Sequence, residues 1–229
     1  MNTIKRILPF LTLTLLFAVT LAVLLCMFDK GESHLMLNTF HAPWLDYTMR
    51  GFTILAEYGI YVAIVVLLFR RAGFSAIMAA SSLLSTLIAQ VLKHILVAPR
   101  PALWFSENMP DVELTLVEGV KMNYLFSFPS GHTTAAFTFA MAMVYVVENS
   151  PLLTDKKQAR VAWQCLLFLL AALCGYSRIY MSQHFASDVL AGCLIGTCSS
   201  LLVCLLTDRL RLTSQPWWHW RISFPHRQS

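Results

Sequence analysis

Charge is what this chain lacks. Lys, Arg, Asp and Glu make up 13% of its 229 residues, about half the share found in an ordinary soluble domain. Hydrophobic residues reach 57%. So few charges cannot cover a water-soluble surface, and the composition reads as a membrane protein. The length leaves no room for a second soluble domain of normal size. Residues 1–229 are therefore read as a single integral membrane domain. A C-x-x-C pair is also missing. Cys26, Cys165, Cys174, Cys193, Cys198 and Cys204 all lie in apolar runs. That weighs against zinc and thioredoxin-like sites and leaves small apolar packing residues. No repeat or low-complexity segment is visible. No A-x-A-like site follows the first apolar run, and the residue before Cys26 is the bulky Leu25. The run is read as an uncleaved signal anchor.

What the chain does have is apolar length. A helix needs about 20 apolar residues to cross the hydrocarbon core. Six runs approach this: 7–28, 52–69, 74–97, 131–148, 161–178 and 186–207. The expected fold is all-α, a polytopic bundle of six transmembrane helices. Glu57 lies near the start of the second run, which places that start at an interface. Lys and Arg set the orientation, because they concentrate on the cytoplasmic side. One set of connections carries eleven of the 17, from Lys5 and Arg6 through Arg70, Arg71 and Lys156 to Arg227. The other carries Lys30, Arg50, Lys93, Arg100, Lys121 and Arg178. Both termini are thus expected in the cytoplasm. The net charge of +5 belongs to basic loops on a membrane face, and no nucleic-acid partner is implied.

Three further segments stand out. Residues 29–51 are expected to hold a short interfacial helix, with Leu35, Leu37, Phe40, Trp44 and Leu45 toward the membrane. Residues 98–129 form the longest external connection and contain Glu107, Asp111, Glu113 and Glu118. Long connections of this kind are often functional. The tail from about 208 to 229 carries Trp217, Trp218 and Trp220 beside Arg221 and His226. That mixture fits anchoring at the cytoplasmic interface.

Lys93, Arg100 and Arg178 run against the charge rule, and each sits at the outer edge of a span. Each belongs to a short polar segment. KHILVAPRP, residues 93–101, closes the third run, with Pro99 and Pro101 stopping the helix. FPSGH, residues 128–132, opens the fourth. There Ser130 suits an N-cap, Gly131 permits close backbone approach, and the helix dipole favours an anion. SRIYMSQHFASD, residues 177–188, joins the fifth run to the sixth. His184 and Asp188 are four apart and share a face if helical. A carboxylate holding one imidazole nitrogen leaves the other free. Taken singly, each segment passes as an interfacial helix end. Pooled at one depth, they supply cations, a helix N-terminus, two histidines and a carboxylate. That set suits a tetrahedral oxyanion beside a nucleophile and an acid, and arginine forks match phosphate oxygens.

In order and spacing the three segments resemble the type 2 phosphatidic acid phosphatase family, whose pattern is K-x6-RP, PSGH and SR-x5-H-x3-D. Every named position of that pattern is present. The resemblance implies that His184 is the nucleophile, forming a phosphohistidine, and that Asp188 orients it. It implies that His132 protonates the leaving oxygen and then activates water. Lys93, Arg100, Ser130, Gly131, Arg178 and Ser177 would bind the phosphoryl oxygens. No metal and no cofactor is implied, and the external carboxylates are not grouped with the histidines. Ser182 and Ala186 stand where many relatives carry glycine and proline.

The expected substrate is a membrane lipid phosphate, met at the outer interface of a bacterial inner membrane and facing the periplasm. Lipid A phosphate, undecaprenyl diphosphate, phosphatidylglycerol phosphate and phosphatidic acid all fit. The SQHF run resembles members acting on lipid A phosphates. A lipid phosphotransferase uses the same phosphohistidine. A vanadium haloperoxidase shares the oxyanion pocket but is soluble in the relatives that have that activity. A transporter or structural protein with a vestigial site is the reading from another class. No obligate protein partner is implied.

Overall fold

In a computed structural model, the chain is described over residues 3–150 and 156–223, and among these residues every regular element is helical. Arg227 and His226, which enter the charge count and the anchoring tail, lie outside the described residues. Eight α-helices follow in order: α1 Thr3–Met27, α2 Lys30–Leu37, α3 Pro43–Leu68, α4 Ala72–Leu96, α5 Pro101–Asn108, α6 Gly131–Glu148, α7 Lys157–Tyr180 and α8 Ala186–Arg209. Five stretches are long and apolar enough to cross a membrane: α1, α3, α4 continued into α5, α7 and α8. The molecule is an integral membrane protein.

The sixth long helix, α6, differs for a physical reason. It has 18 residues, with His132 and Glu148 at its ends, and faces protein on most sides. Twelve of its residues are buried. It packs against α8, α7, α4, α3 and α1 and forms the axis of the bundle. Phe137, Met141, Val144 and Tyr145 are the core of the largest apolar cluster. The lipid-facing residues lie on the other helices, where Leu15, Leu83 and Leu202 are exposed.

Glycine sets the closest helix contact. A Cβ on Gly196 of α8 would lie 2.5 Å from the Thr134 carbonyl oxygen and 2.8 Å from the Thr138 nitrogen. A Cβ on Gly192 would lie 2.8 Å from the Ser130 carbonyl oxygen. These two small residues, four apart, let the backbones of α8 and α6 touch. Ser200 Oγ then donates to the Thr138 carbonyl at 3.1 Å, one turn further along.

Both described ends of the chain meet at one end of the bundle. The Thr3 hydroxyl donates to Asp208 of α8. Tyr145 OH donates to the same carboxylate at 2.5 Å. Glu148 pairs with Arg160 at 3.1 Å and with Arg6 at 3.7 Å, and Gln164 Nε2 donates to it at 2.9 Å. This network closes the end opposite the three motifs.

Some expectations need correction. The second long helix starts at Pro43, nine residues before the apolar run at 52. Pro43 fits the first helical position, and Asp46 and Arg50 occupy the opening turns. Polar residues there broke the apolar run without breaking the helix. Glu57 consequently lies in the middle of α3 and not near its start. The short helix expected in 29–51 is α2, with Phe40 and Trp44 exposed beyond it, while Leu37 packs against the Ile179–Val189 cluster. The 98–129 connection is not all loop, because Pro101 starts α5. In the tail, Trp217 and Trp220 are exposed, but Trp218 is buried against Phe74 and over Gly73. One of the three tryptophans therefore packs inside and does not face the membrane. Cys174, Cys193 and Cys204 are buried, the other three cysteines are exposed, and all six are free.

Gly196→Ala should destabilise the fold by about 1–3 kcal/mol through overpacking. Gly51→Ala, with nothing within 4 Å of its Cβ, should be neutral or gain up to about 1 kcal/mol of helix propensity. Thermal unfolding in detergent measures both. A Gly196→Ala protein that melts with the wild type would contradict the close contact.

Candidate active site

The site grows from two helix N-termini placed side by side. Ser130 is the N-cap of α6, and its Oγ accepts from Thr133 N at 3.4 Å and from Thr133 Oγ1 at 2.8 Å. Asp188 lies in the first turn of α8, where its Oδ2 accepts from Phe185 N at 3.0 Å. Ser130 N donates to the Asp188 carbonyl at 3.0 Å, which locks one terminus to the other. That bond is possible because Gly192 brings α8 against the Ser130 carbonyl.

His184 sits just before α8 and is 1% exposed. Its Nδ1 lies 3.4 Å from Asp188 Oδ2. That oxygen also accepts from Ser127 Oγ at 2.5 Å. Burial pushes the His184 imidazole down to about 4; Asp188 opposes this, and Arg100 and Arg178 add to it. The ring is therefore neutral at pH 7. With Nδ1–H donated to Asp188, the Nε2 lone pair is free. The His132 ring, half-buried in the first turn of α6, makes no hydrogen bond among the described residues. Both histidines line one cavity of about 290 Å³, together with Lys93, Arg100 and Gly131. Gly131 leaves space open there, since a Cβ would meet only Lys93 Cε, at 4.0 Å.

The cations reach this place by different routes. Lys93, in the last turn of α4, donates to the Phe126 carbonyl at 3.0 Å. Arg100 donates from Nε to the Leu125 carbonyl at 3.0 Å. Its Nη1 donates to the backbone and side-chain oxygens of Gln183, both at 3.2 Å. Arg178, 5% exposed near the end of α7, donates from Nη1 to Thr53 Oγ1 at 2.8 Å. Its buried Nε has no hydrogen-bond partner among the described residues. All three cations bond to neutral groups, and among the described residues none is paired with a carboxylate. Their positive charge is left for an anion. Ser177 is buried, with its hydroxyl donating to the Cys174 carbonyl at 2.7 Å. Of the nine residues expected from the sequence, Lys93, Arg100, Gly131, His132 and His184 line the cavity. Ser130 adjoins Gly131, and Asp188 and the Arg178 carbonyl bond to His184, so these three flank the lining, while the Ser177 hydroxyl is turned to the Cys174 carbonyl.

Several partners were not foreseen. Ser127, Gln183 and Thr53 each bond to a motif residue. His34 of α2 is fully buried, and its Nε2 lies 3.3 Å from Ser182 Oγ. Its ring packs on Phe105 and Phe185, 5.6 Å and 5.3 Å between centroids. Ser182, inside the loop that carries His184, has φ +50, while Val97 and Phe126 have φ +39 and +59. Left-handed backbone at a non-glycine residue costs about 1–2 kcal/mol and is held only by its surroundings. Here the surroundings are specific: Ser127 N bonds to the Ala98 carbonyl at 2.9 Å, and Arg100 N to that of Tyr124 at 2.8 Å. Gln183 and Ser182 fall in the unspecified gap of the third motif. Thr53 and His34 lie far off in sequence, with no local signal.

A larger cavity, about 530 Å³, lies at the opposite end among Arg6, Arg71, Asp208 and Trp218. It contains none of the motif residues.

A buried neutral histidine backed by a carboxylate, beside cations that no carboxylate pairs, is an arrangement that can accept and pass on a phosphoryl group. The chain matches the PAP2 superfamily over residues 72–212 and belongs to that family. It is a phosphatase of this type. Phosphatidylglycerophosphatase B of Bacillus subtilis is 27% identical over 168 residues, covering 70% of this chain and 74% of that protein. An undecaprenyl-diphosphatase of Sulfolobus acidocaldarius is 29% identical over 184 residues, covering 75% of this chain and 79% of its own. Among solved structures, Aquifex aeolicus LpxE superposes with a TM-score of 0.61 at 28% identity, over 75% of this chain and 92% of that one. A PAP2-type phosphatidylglycerolphosphate phosphatase from Bacillus subtilis gives 0.62 at 22% identity, over 93% and 99%, and shows the fold.

His34 gives the site a measurable acid sensitivity. Burial lowers its imidazole to about 4, as it does for His184, from an ordinary 6.5. Between those values the unfolded chain binds protons that the fold does not. Stability should therefore be full above pH 6.5 and fall as pH drops toward 4. His34→Gln should flatten that fall in thermal unfolding between pH 7 and pH 4.5. An unchanged slope would contradict the buried neutral imidazole.

Proposed function

We propose that this protein hydrolyses a membrane lipid phosphate through a phosphohistidine on His184, without a metal. The observation that carries the reading is the convergence of three acid-free cations on a histidine whose Nδ1 is held by Asp188. In the first step His184 Nε2 attacks phosphorus and the bond to the lipid oxygen breaks. His132 gives that oxygen its proton. In the second step His132 takes a proton from water, and the hydroxide attacks the phosphohistidine. Inorganic phosphate leaves and neutral His184 returns. Lys93, Arg100, Arg178 and the α6 N-terminus at Ser130 and Gly131 hold the three phosphoryl oxygens, where charge builds in the transition state. Ser177 joins them if its hydroxyl turns from the Cys174 carbonyl. Asp188 fixes the tautomer of His184 and stabilises its charge when phosphorylated.

The site faces the periplasm of a bacterial inner membrane in this account. α6 completes a set of six spans, and both termini lie in the cytoplasm. Two features support this: the eleven basic residues at the termini and their side, and the meeting of α1 and α8 at the end opposite the site. A lipid presents its phosphate at the outer interface while its chains stay in the bilayer. The similarity to a phosphatidylglycerophosphatase and an undecaprenyl-diphosphatase supports phosphatidylglycerol phosphate or undecaprenyl diphosphate as substrate; lipid A phosphate and phosphatidic acid stay in the set from the sequence motifs.

Phosphate release in detergent with EDTA, across those four lipids, tests the reading. His184→Ala should lower turnover by at least about 10³-fold, since no nucleophile remains. Arg178→Lys should lower it by about 10²-fold, because a point charge cannot replace a fork. Substantial turnover by His184→Ala, or none by the wild type without metal, would overturn the mechanism. Release that requires an added alcohol would instead identify a phosphotransferase.

A further inference from the structure

The cavity does not end at the phosphate pocket. Below Lys93 it continues between α3 and α4, lined by Glu57 and Tyr61 from one helix and by Ser82, Thr86 and Gln90 from the other. Thr53, Glu57 and Tyr61 repeat every four residues, so they share a face of α3. Ser82, Thr86, Gln90 and Lys93 share a face of α4 in the same way. At 1.5 Å per residue, that row descends about 16 Å from Lys93 into the membrane-spanning part of α4.

Polar side chains at that depth need a reason. None of the side chains of Glu57, Tyr61, Thr86 or Gln90 makes a hydrogen bond or ion pair among the described residues. Glu57 is the most telling. A carboxylate repels the phosphate that the neighbouring cations attract, and no step of the reaction uses it. An ionised carboxylate only accepts hydrogen bonds. A ligand group that brings donors gives it a hydrogen-bond partner in the cavity, beyond the distant pull of Arg178.

The hydrocarbon part of a substrate has a compartment of its own. An apolar groove of about 310 Å³ runs between α3, α6 and α7, past Leu55, Phe139, Trp163 and Leu170. It shares Ala56, Ile60 and Ala135 with the polar cavity. A chain leaving the phosphate pocket along that shared wall stays in apolar surroundings. The α3–α4 row is left for something polar.

Building on the lipid phosphatase reading, we propose that the substrate carries its phosphate on a headgroup with free hydroxyl or amide donors, a sugar or a glycerol, bound by Glu57, Thr86 and Gln90, with a hydrocarbon chain in the α3–α6–α7 groove. A phosphate borne directly on a prenyl chain, or on a diacylated glycerol without a free hydroxyl, offers nothing to this row. A site built for such donors rejects analogues that lack them. Glu57, Thr86 and Gln90 thus set specificity and take no part in bond making.

The test compares kcat/KM of the full-length protein in one detergent for four lipids. Lipid A and phosphatidylglycerol phosphate bear donors, on a sugar and on a glycerol. Undecaprenyl phosphate and phosphatidic acid bear none. The wild type should favour one donor-bearing lipid by at least about 10-fold, and the faster of the two separates sugar from glycerol. Glu57→Leu and, as a near-isosteric check on folding, Thr86→Val should each lower that preference at least about 3-fold. Both should leave undecaprenyl phosphate turnover near the wild-type rate. Leu55→Trp, at the mouth of the groove, should raise KM for long-chain lipids and spare a short-chain analogue. Equal rates on all four lipids, or variants that slow all four alike, would overturn the headgroup assignment while leaving the phosphatase intact. Absence of release from every lipid would overturn both.

Discussion

The site depends on one backbone hydrogen bond, from Ser130 N to the Asp188 carbonyl. It joins the N-terminus of α6 to that of α8, and so fixes the distance between the two histidine-bearing segments. The bond forms only because Gly192 and Gly196 bring the helices into backbone contact. Association of helices in lipid cannot rely on the hydrophobic effect, and close packing of small residues takes its place. The geometry at the site's end of the bundle is thereby tied to packing in its middle.

Electrostatics at the two ends of the molecule follow opposite rules. At the closed end, Arg6 and Arg160 share Glu148, and Asp208 accepts from Tyr145 and Thr3, so charges there are consumed within the fold. At the site, Lys93, Arg100 and Arg178 are held by carbonyls, an amide and a hydroxyl. Neutral acceptors fix the position of a cation without cancelling its charge. Among the described residues the only carboxylate in direct contact with the site's histidines is Asp188, and His184, Ser127 and Phe185 N occupy it. What remains is a preorganised positive pocket around a neutral histidine, an arrangement suited to a phosphoryl group in transit.

The sequence made the long helices and the motif residues legible, because apolar length and fixed spacing are local signals. Lys93, Arg100, His132 and His184 were expected together and line one cavity. Other features escaped because their meaning is tertiary. Pro43–Phe52 reads as polar interface, yet it is helix, since Asp46 and Arg50 tolerate a helix outside the hydrocarbon. Thr53 and His34 gain their roles only when α3 and α2 pack beside α7 and the 181–185 turn. Trp218 looked like a membrane anchor until Gly73 provided the flat surface it covers. Glu57 looked like a helix end, and the earlier start of α3 moves it into the cavity.

The central claim is that His184 carries the phosphoryl group between lipid and water. Stereochemistry at phosphorus tests it most directly. A lipid thiophosphate monoester made chiral by oxygen isotopes would be hydrolysed in isotopically labelled water, and the configuration of the released thiophosphate determined. Two in-line displacements, the first by His184, predict retention. Inversion would mean that water attacks the lipid phosphate in a single step, and would contradict the account.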